Sequence, residues 1–204
     1  MIEKQERFII LRKIKYGEAD LIIHALSTQG AKVSFIAKAA LKSKKRFGGG
    51  VLEPTHFVKF TYKDSEDNGK LKPLNEAVLL DDFPKNRIDY DKIDFSLFVV
   101  NCASHVSQEG DMGSEFLFNL VGHVLRAIGN ENEIPGLKLH FCLKFLYQQG
   151  VISIDSWMTP YLKFNISAHN ELKKAVDCNQ DSEDYLDSIE SLVMQYIKTA
   201  DAGF

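Results

Sequence analysis

The residues best suited to chemistry form a short run of cations, residues 38–46, which we call the basic segment. Its sequence is Lys-Ala-Ala-Leu-Lys-Ser-Lys-Lys-Arg, so five of its nine residues are cationic and none is acidic. Lysine and arginine bind phosphate groups through charge and hydrogen-bond donors, without reading a particular base. The run therefore predicts a polyanion-binding site made of Lys38, Lys42, Lys44, Lys45 and Arg46. The alternative is a solvated surface loop, because lysine is common on surfaces.

Phe47 follows the basic segment and is itself followed by three glycines. No strand period requires an apolar residue at this position. Phe47 therefore either anchors the loop or stacks on a base, an interaction that contributes roughly 1–3 kcal/mol. We include Phe47 among the predicted nucleic-acid-binding residues. If all five cations meet phosphates, log K should fall with log salt with a slope of about −3.5 on a single strand.

Catalytic and metal-binding patterns are absent from the sequence. The six histidines form no His-x-x-x-His pattern, and the aspartate-rich run at residues 89–94 lacks the central glycine and final glutamate of a calcium loop. The three glycines lack the Lys-Ser or Lys-Thr of a phosphate-binding P-loop. We expect no enzymatic activity, no metal and no other cofactor. The three cysteines lie far apart and predict reduced, buried thiols: Cys102, Cys142 and Cys178.

Five segments in the first eighty residues have the composition and alternation of short strands. They cover residues 8–14, 21–26, 33–37, 57–62 and 71–80. The last two are separated by a strong turn signal, Asp67-Asn68-Gly69. Five short strands with one long polar connection between the third and fourth favour a small barrel of the OB-fold type. The basic segment lies in that connection, and the barrel core is predicted to contain Phe35, Phe57 and Phe60.

From residue 89 the apolar period becomes that of helices. Predicted helices cover residues 89–108, 114–129, 137–149 and 182–199, with Ser114 as an N-cap, whereas residues 152–165 have no clear assignment. The predicted fold class is α+β. An OB-fold barrel (residues 1–80) precedes an all-α helical domain (residues 81–204).

The two predicted domains differ in charge. Residues 1–80 hold 15 Lys+Arg against 9 Asp+Glu, a net charge of +6, whereas residues 81–204 hold 10 against 19, a net charge of −9. Such a division indicates two units with different partners. No run of about 18 apolar residues and no signal peptide are present, so we expect a soluble intracellular protein.

The barrel segment resembles the amino-terminal domain of the RecO family of bacterial DNA repair proteins. The matching residues occur in the family's order, namely Tyr16-Gly17-Glu18, Asp20, Thr28-Gln29-Gly30, Ala37-Lys38, Lys42-Ser43-Lys44 and Leu52-Glu53-Pro54. The family pattern for this domain is an OB-fold, in agreement with the strand count. The family usually has glycine after the lysine, where this chain has Ala39, and the local backbone there is therefore in question.

The helical part resembles the carboxyl-terminal domain of the same family. Many members have a Cys-x-x-Cys at about residues 157–160 and a second pair further on, whereas this chain has only the isolated Cys178. A structural zinc site needs four ligands held close together. We therefore expect no zinc, and our hypothesis is that packing of Trp157, Tyr161 and Phe164 replaces it.

The resemblance implies a DNA-binding recombination mediator acting in DNA repair at the bacterial nucleoid in the cytoplasm. Such a protein binds single- and double-stranded DNA, anneals complementary strands and helps to load RecA onto strands covered by the single-stranded DNA-binding protein. The implied protein partners are RecR, that coating protein and, indirectly, RecA. The acidic tail of the coating protein would need a cation beside an apolar groove, for which Arg126, Lys138 or Lys144 could serve. The alternative function is a non-enzymatic interaction scaffold whose basic barrel binds an acidic protein partner.

Overall fold

The computed structural model describes residues 2–64, 71–109 and 115–201 of the chain. Five strands are present where five were predicted, although the first begins earlier, and the predicted turn at residues 67–69 lies outside the described residues. The strands are β1 (Ile2–Tyr16), β2 (Asp20–Ser27), β3 (Lys32–Ala37), β4 (Phe57–Asp64) and β5 (Lys72–Asp81).

The strands close into a barrel in the order β1-β2-β3-β5-β4. β1 is long because it pairs with two strands, with β4 up to Ile9 and with β2 from Phe8 to Tyr16. A register shift between Ile10 and Arg12 bends it from one neighbour towards the other. All pairs are antiparallel except the short β3–β5 pair, which is parallel. The predicted OB-fold barrel is confirmed.

Four aromatic rings fill the centre of the barrel: Phe8, Phe35, Phe60 and Tyr62. Their ring centroids lie 5.1–6.0 Å apart, mostly in edge-to-face contact. The prediction that Phe35 and Phe60 are core residues is confirmed, because both are fully buried. Phe57 is half-buried and meets Phe118 edge-on at 6.2 Å. Truncation of a fully buried phenylalanine such as Phe35 or Phe60 typically costs about 3–5 kcal/mol of stability.

A four-residue helix interrupts the connection between β3 and β4, and the remaining helices follow the barrel strands in the chain. The helices are α1 (Lys44–Phe47), α2 (Tyr90–Val106), α3 (Glu115–Ile128), α4 (Ile134–Gln148), α5 (Thr159–Lys163), α6 (His169–Ala175) and α7 (Cys178–Asp201). The four predicted helices are present as α2, α3, α4 and α7. The predicted N-cap Ser114 lies outside the described residues. The unassigned stretch contains α5, and α6 was not predicted.

The chain forms two compact units, neither of which is continuous in sequence. One contains Met1–Pro84 and Leu97–Gly122, and the other contains Lys85–Ser96 and His123–Phe204. The predicted division at residue 80 stays a prediction about independent domains. None of the described helices combines the length and apolar character needed to cross a bilayer.

The second unit is built around α4, which is buried on most of its sides. A helix of this kind is apolar nearly all round, because neighbours surround it. Gly136 permits the close approach of α7, since a Cβ there would lie 3.0 Å from the Cβ of Cys178. At the other end Phe145 meets Tyr196 edge-on at 6.3 Å, and the Tyr196 hydroxyl donates to Gln149.

Candidate nucleic-acid interface

The basic segment lies in the β3–β4 connection, and all five of its cations are exposed. Its backbone is attached to the turn between β1 and β2. The amide of Leu41 donates to the Ala19 carbonyl at 3.0 Å, and the amide of Ala39 donates to the Asp20 carboxylate at 2.7 Å. The segment is therefore a fixed part of the barrel surface that presents its charges to solvent.

Ala39 has a φ of 53°, in the left-handed region that favours glycine. This is the position at which the family pattern has glycine. The backbone at residue 39 is thus left-handed although this chain has alanine there instead of glycine. An L-residue in this conformation brings its Cβ too close to the neighbouring carbonyl, at a cost of roughly 1–2 kcal/mol.

Arg46 holds the two ends of the basic segment together. Its Nη2 donates to the Lys38 carbonyl at 2.9 Å, and its Nε donates to the Ser43 hydroxyl at 3.3 Å. Ser43 is also the N-cap of α1, with its Oγ accepting from the Arg46 amide at 3.4 Å. Arg46 thereby stabilises the backbone from which the four lysines extend.

Phe47 is buried, with 7% of its surface exposed, in the barrel core beside Val51 and Leu52. The Arg46 guanidinium lies 5.1 Å from the centroid of its ring. Of the two roles left open for Phe47, this burial matches the anchor. Stacking on a base requires an exposed ring face. The buried ring of Phe47 is therefore unsuited to base stacking.

Three lysines elsewhere on the barrel are paired with carboxylates. Lys13 bonds both oxygens of Glu53 at 2.5–2.6 Å, and Lys4 and Lys72 both donate to Asp64. Hydrogen bonds from Lys4 and then Lys72 lower the pKa of the Asp64 carboxyl. The exposed lysines of the basic segment form no such pairs in the part of the chain that the structure describes. Four exposed lysines without such pairs are therefore clustered in the basic segment.

A second polar cluster in this unit joins Ser34 to His24 and Glu109. The Ser34 hydroxyl donates to the Glu109 carboxylate and lies 2.7 Å from Nδ1 of His24. In a nucleophilic triad the histidine stands between the serine and the acid. Here the serine stands in the middle, so this cluster fixes residue 109 to the sheet.

The three candidate cations for the acidic tail lie in different environments. Lys138 is paired with Glu190 at 2.7 Å, and Lys144 is buried and donates to the Leu162 carbonyl at 2.9 Å. Burial lowers the pKa of the Lys144 amine. Arg126 is exposed and lines a cavity of about 270 Å³.

The aromatic residues proposed to replace zinc are packed into the second unit. Trp157 stacks on Tyr185 with centroids 4.0 Å apart, and Tyr161 is fully buried with its hydroxyl 2.8 Å from Asp181. Phe164 is half-buried. Within residues 2–64, 71–109 and 115–201, no group of three or more His, Cys, Asp or Glu side chains is placed to hold a metal ion.

A buried histidine pair joins α6 to α4, and sequence reasoning missed it because its members are 29 residues apart. Nε2 of His140 lies 3.2 Å from the Phe164 carbonyl, and its Nδ1 lies 3.1 Å from Nδ1 of His169. Neutral His140 donates through Nε2 and accepts from His169. Burial, together with the neighbouring His169, lowers the pKa of His140 to about 3. The pair is a neutral structural link.

Residues 1–83 match the family model described as "Recombination protein O N terminal". The chain is 30% identical over 140 residues to the DNA repair protein RecO of Desulfosudis oleivorans, covering 69% of this chain and 51% of that protein. The amino-terminal part of the chain belongs to the RecO family. The chain is also 33% identical over 145 residues to the RecO of Desulfatibacillum aliphaticivorans, covering 70% of this chain and 55% of the relative. The chain spans about half the length of these curated relatives.

Proposed function

We propose that this chain binds DNA through the basic segment and acts in DNA repair and recombination. The observation that carries the proposal is the set of exposed lysines on the β3–β4 connection of an OB-fold barrel. Arg46 stabilises this connection through its hydrogen bond to the Lys38 carbonyl. Because phosphate contacts are electrostatic, they require no base sequence and release counterions from the strand. The names of the relatives, which are DNA repair proteins, support the same assignment.

Strand annealing is the activity that this arrangement supports best. Two complementary strands repel each other through their phosphates, and lysines that neutralise one strand lower this barrier. The step requires no bond chemistry. Assistance to RecA loading on strands covered by the coating protein, and association with RecR, are the partner functions that we propose with it.

A charge-matched pair of variants tests the DNA site. Changing Lys42, Lys44 and Lys45 to alanine should weaken binding to an oligonucleotide by at least tenfold at low salt, since each lost phosphate contact lowers affinity. The control variant changes three exposed lysines of the second unit to alanine, namely Lys163, Lys174 and Lys198. Its net charge equals that of the first variant. Equal affinity of the two variants would favour the scaffold function, in which the barrel binds an acidic protein. Annealing of complementary oligonucleotides should follow the same order.

Arg126 is our choice among the three cations for the acidic tail of the coating protein. Lys138 is already paired, and Lys144 is buried. The cavity beside Arg126 is also lined by the apolar Ala127 and Ile166. Glu131 also lines the cavity, but its carboxylate is already paired with Lys173 at 2.7 Å.

Binding of a peptide with the sequence of that tail tests the choice. Arg126→Ala should weaken binding at least about tenfold, because a charge-assisted hydrogen bond contributes about 1.5–3 kcal/mol. Arg126→Lys should retain part of the affinity, and Lys163→Ala should retain all of it. Equal peptide affinity of the Arg126→Ala variant and the wild type would exclude this cavity.

A further inference from the structure

We propose that Tyr16 stacks on an unpaired base of a strand bound by the basic segment, which makes the site selective for single-stranded DNA. This inference rests on the proposed DNA-binding function and adds a substrate preference to it. Tyr16 is the last residue of β1, and 55% of its surface is exposed. Phe47 contributes no ring, because it is buried in the core.

The strand register places Tyr16 beside the basic segment. Tyr16 is the cross-strand partner of Asp20 in β2. The Asp20 carboxylate accepts from the amide of Ala39, and the Ala19 carbonyl accepts from the amide of Leu41. The turn that carries Tyr16 and the backbone that carries the lysines are thus bonded to each other. A strand with its phosphates on the lysines passes next to the ring.

The ring points away from the barrel interior. In β2 the inward side chains are Leu21, Ile23 and Ala25, which are buried, so Asp20 and Ile22 face outward. Cross-strand partners share a face, and Tyr16 therefore faces outward with Asp20. An exposed aromatic at the end of a strand provides the flat, sequence-tolerant platform that single-stranded sites use.

The other end of the same sheet face is covered by the chain itself. Lys32 donates to the Ser104 carbonyl at 3.2 Å, and Ser34 donates to Glu109. These contacts occupy the ends of β2 and β3 that lie far from the basic segment. The end that carries Tyr16 is the end next to the lysines, so a strand held by the lysines meets the aromatic platform there.

A probe without bases separates stacking from phosphate binding. Wild-type protein is titrated with an oligothymidylate and with a deoxyribose-phosphate oligomer of equal length that lacks bases. Wild type should bind the oligothymidylate about tenfold more tightly, and Tyr16→Ser should bind both oligomers with the lower affinity. Tyr16→Phe keeps the ring and should behave as wild type. Tyr90→Ser, at an exposed tyrosine of the second unit, is the control and should leave the preference unchanged.

The outcomes distinguish the two proposals. If neither oligomer shows salt-dependent binding to the wild-type protein, the proposed DNA-binding function is refuted. If both bind but Tyr16→Ser keeps the preference for bases, only the role of Tyr16 is refuted. Circular dichroism of each variant checks that the barrel is folded, as expected for a change at an exposed side chain.

Discussion

Replacing Ala39 with glycine should stabilise the barrel unit. Ala39 has a φ of 53°, and an L-residue in that region costs roughly 1–2 kcal/mol. Glycine removes this cost but loses about 0.5–1 kcal/mol through the greater freedom of its unfolded chain. The net expected gain in the free energy of unfolding is about 0.5–1 kcal/mol. The hydrogen bond of the residue 39 amide to Asp20 is unchanged by the substitution.

The neighbouring alanine supplies a matched control of opposite sign. Ala40 is buried in the barrel core, and its φ is not positive. Ala40→Gly loses about 0.8 kcal/mol of methyl burial and a further 0.5–1 kcal/mol of chain entropy, so it should destabilise by about 1–2 kcal/mol. The free energies of unfolding of the two adjacent variants should therefore differ by about 1.5–3 kcal/mol.

Urea unfolding measures the difference, with hydrogen exchange of the β2 and β3 amides reporting on the barrel unit alone. The separate report is needed because a chain with two compact units need not unfold in one step. Destabilisation by Ala39→Gly equal to that of Ala40→Gly would refute the left-handed backbone at residue 39, and with it the described path of the basic segment.

Three further predictions concern the second unit. The pKa of buried His140 is lowered to about 3, so its neutral form contributes stability that is fully present above about pH 6.5 and is lost as the pH falls. The free energy of unfolding should drop by about 2 kcal/mol from this residue between pH 7 and 5, and His140→Gln should abolish that share in urea titrations at both pH values. Lys173→Met leaves the buried Glu131 carboxylate without its cation and should cost about 1–2 kcal/mol in urea unfolding, whereas Lys173→Arg should restore the pair. Tyr161→Phe removes a buried hydroxyl that donates to Asp181 and should lower the thermal midpoint through a loss of about 1 kcal/mol; an unchanged midpoint would contradict that bond.

Much of the barrel was predictable because strand alternation is a local signal. Phe35 and Phe60 lie on the inner side of their strands and are buried as expected. The burial of Phe47 was not predictable, since a residue between charged positions and glycines belongs to no period. Its ring reaches the core because the β3–β4 connection folds back over one end of the barrel.

Pairings between distant residues were the other part that the sequence could not supply. Arg126, Lys138 and Lys144 are equivalent as cations in a sequence, and only the tertiary structure pairs Lys138 with Glu190 and buries Lys144. The brace from Arg46 to the Lys38 carbonyl also requires the folded path of the segment. The charge run predicts the proposed site, whereas the fold determines which of its cations remain exposed.

The salt dependence of binding to a single-stranded oligonucleotide tests the central claim most directly. The four exposed lysines of the basic segment should contribute about −2.8 to the slope of log K against log salt, at about −0.7 for each phosphate contact. Changing Lys42, Lys44 and Lys45 to alanine should reduce the magnitude of the slope by about 2.1, while the charge-matched variant of the second unit keeps the wild-type slope. Equal slopes for the two variants would show that DNA does not contact the basic segment and would contradict the proposed interface.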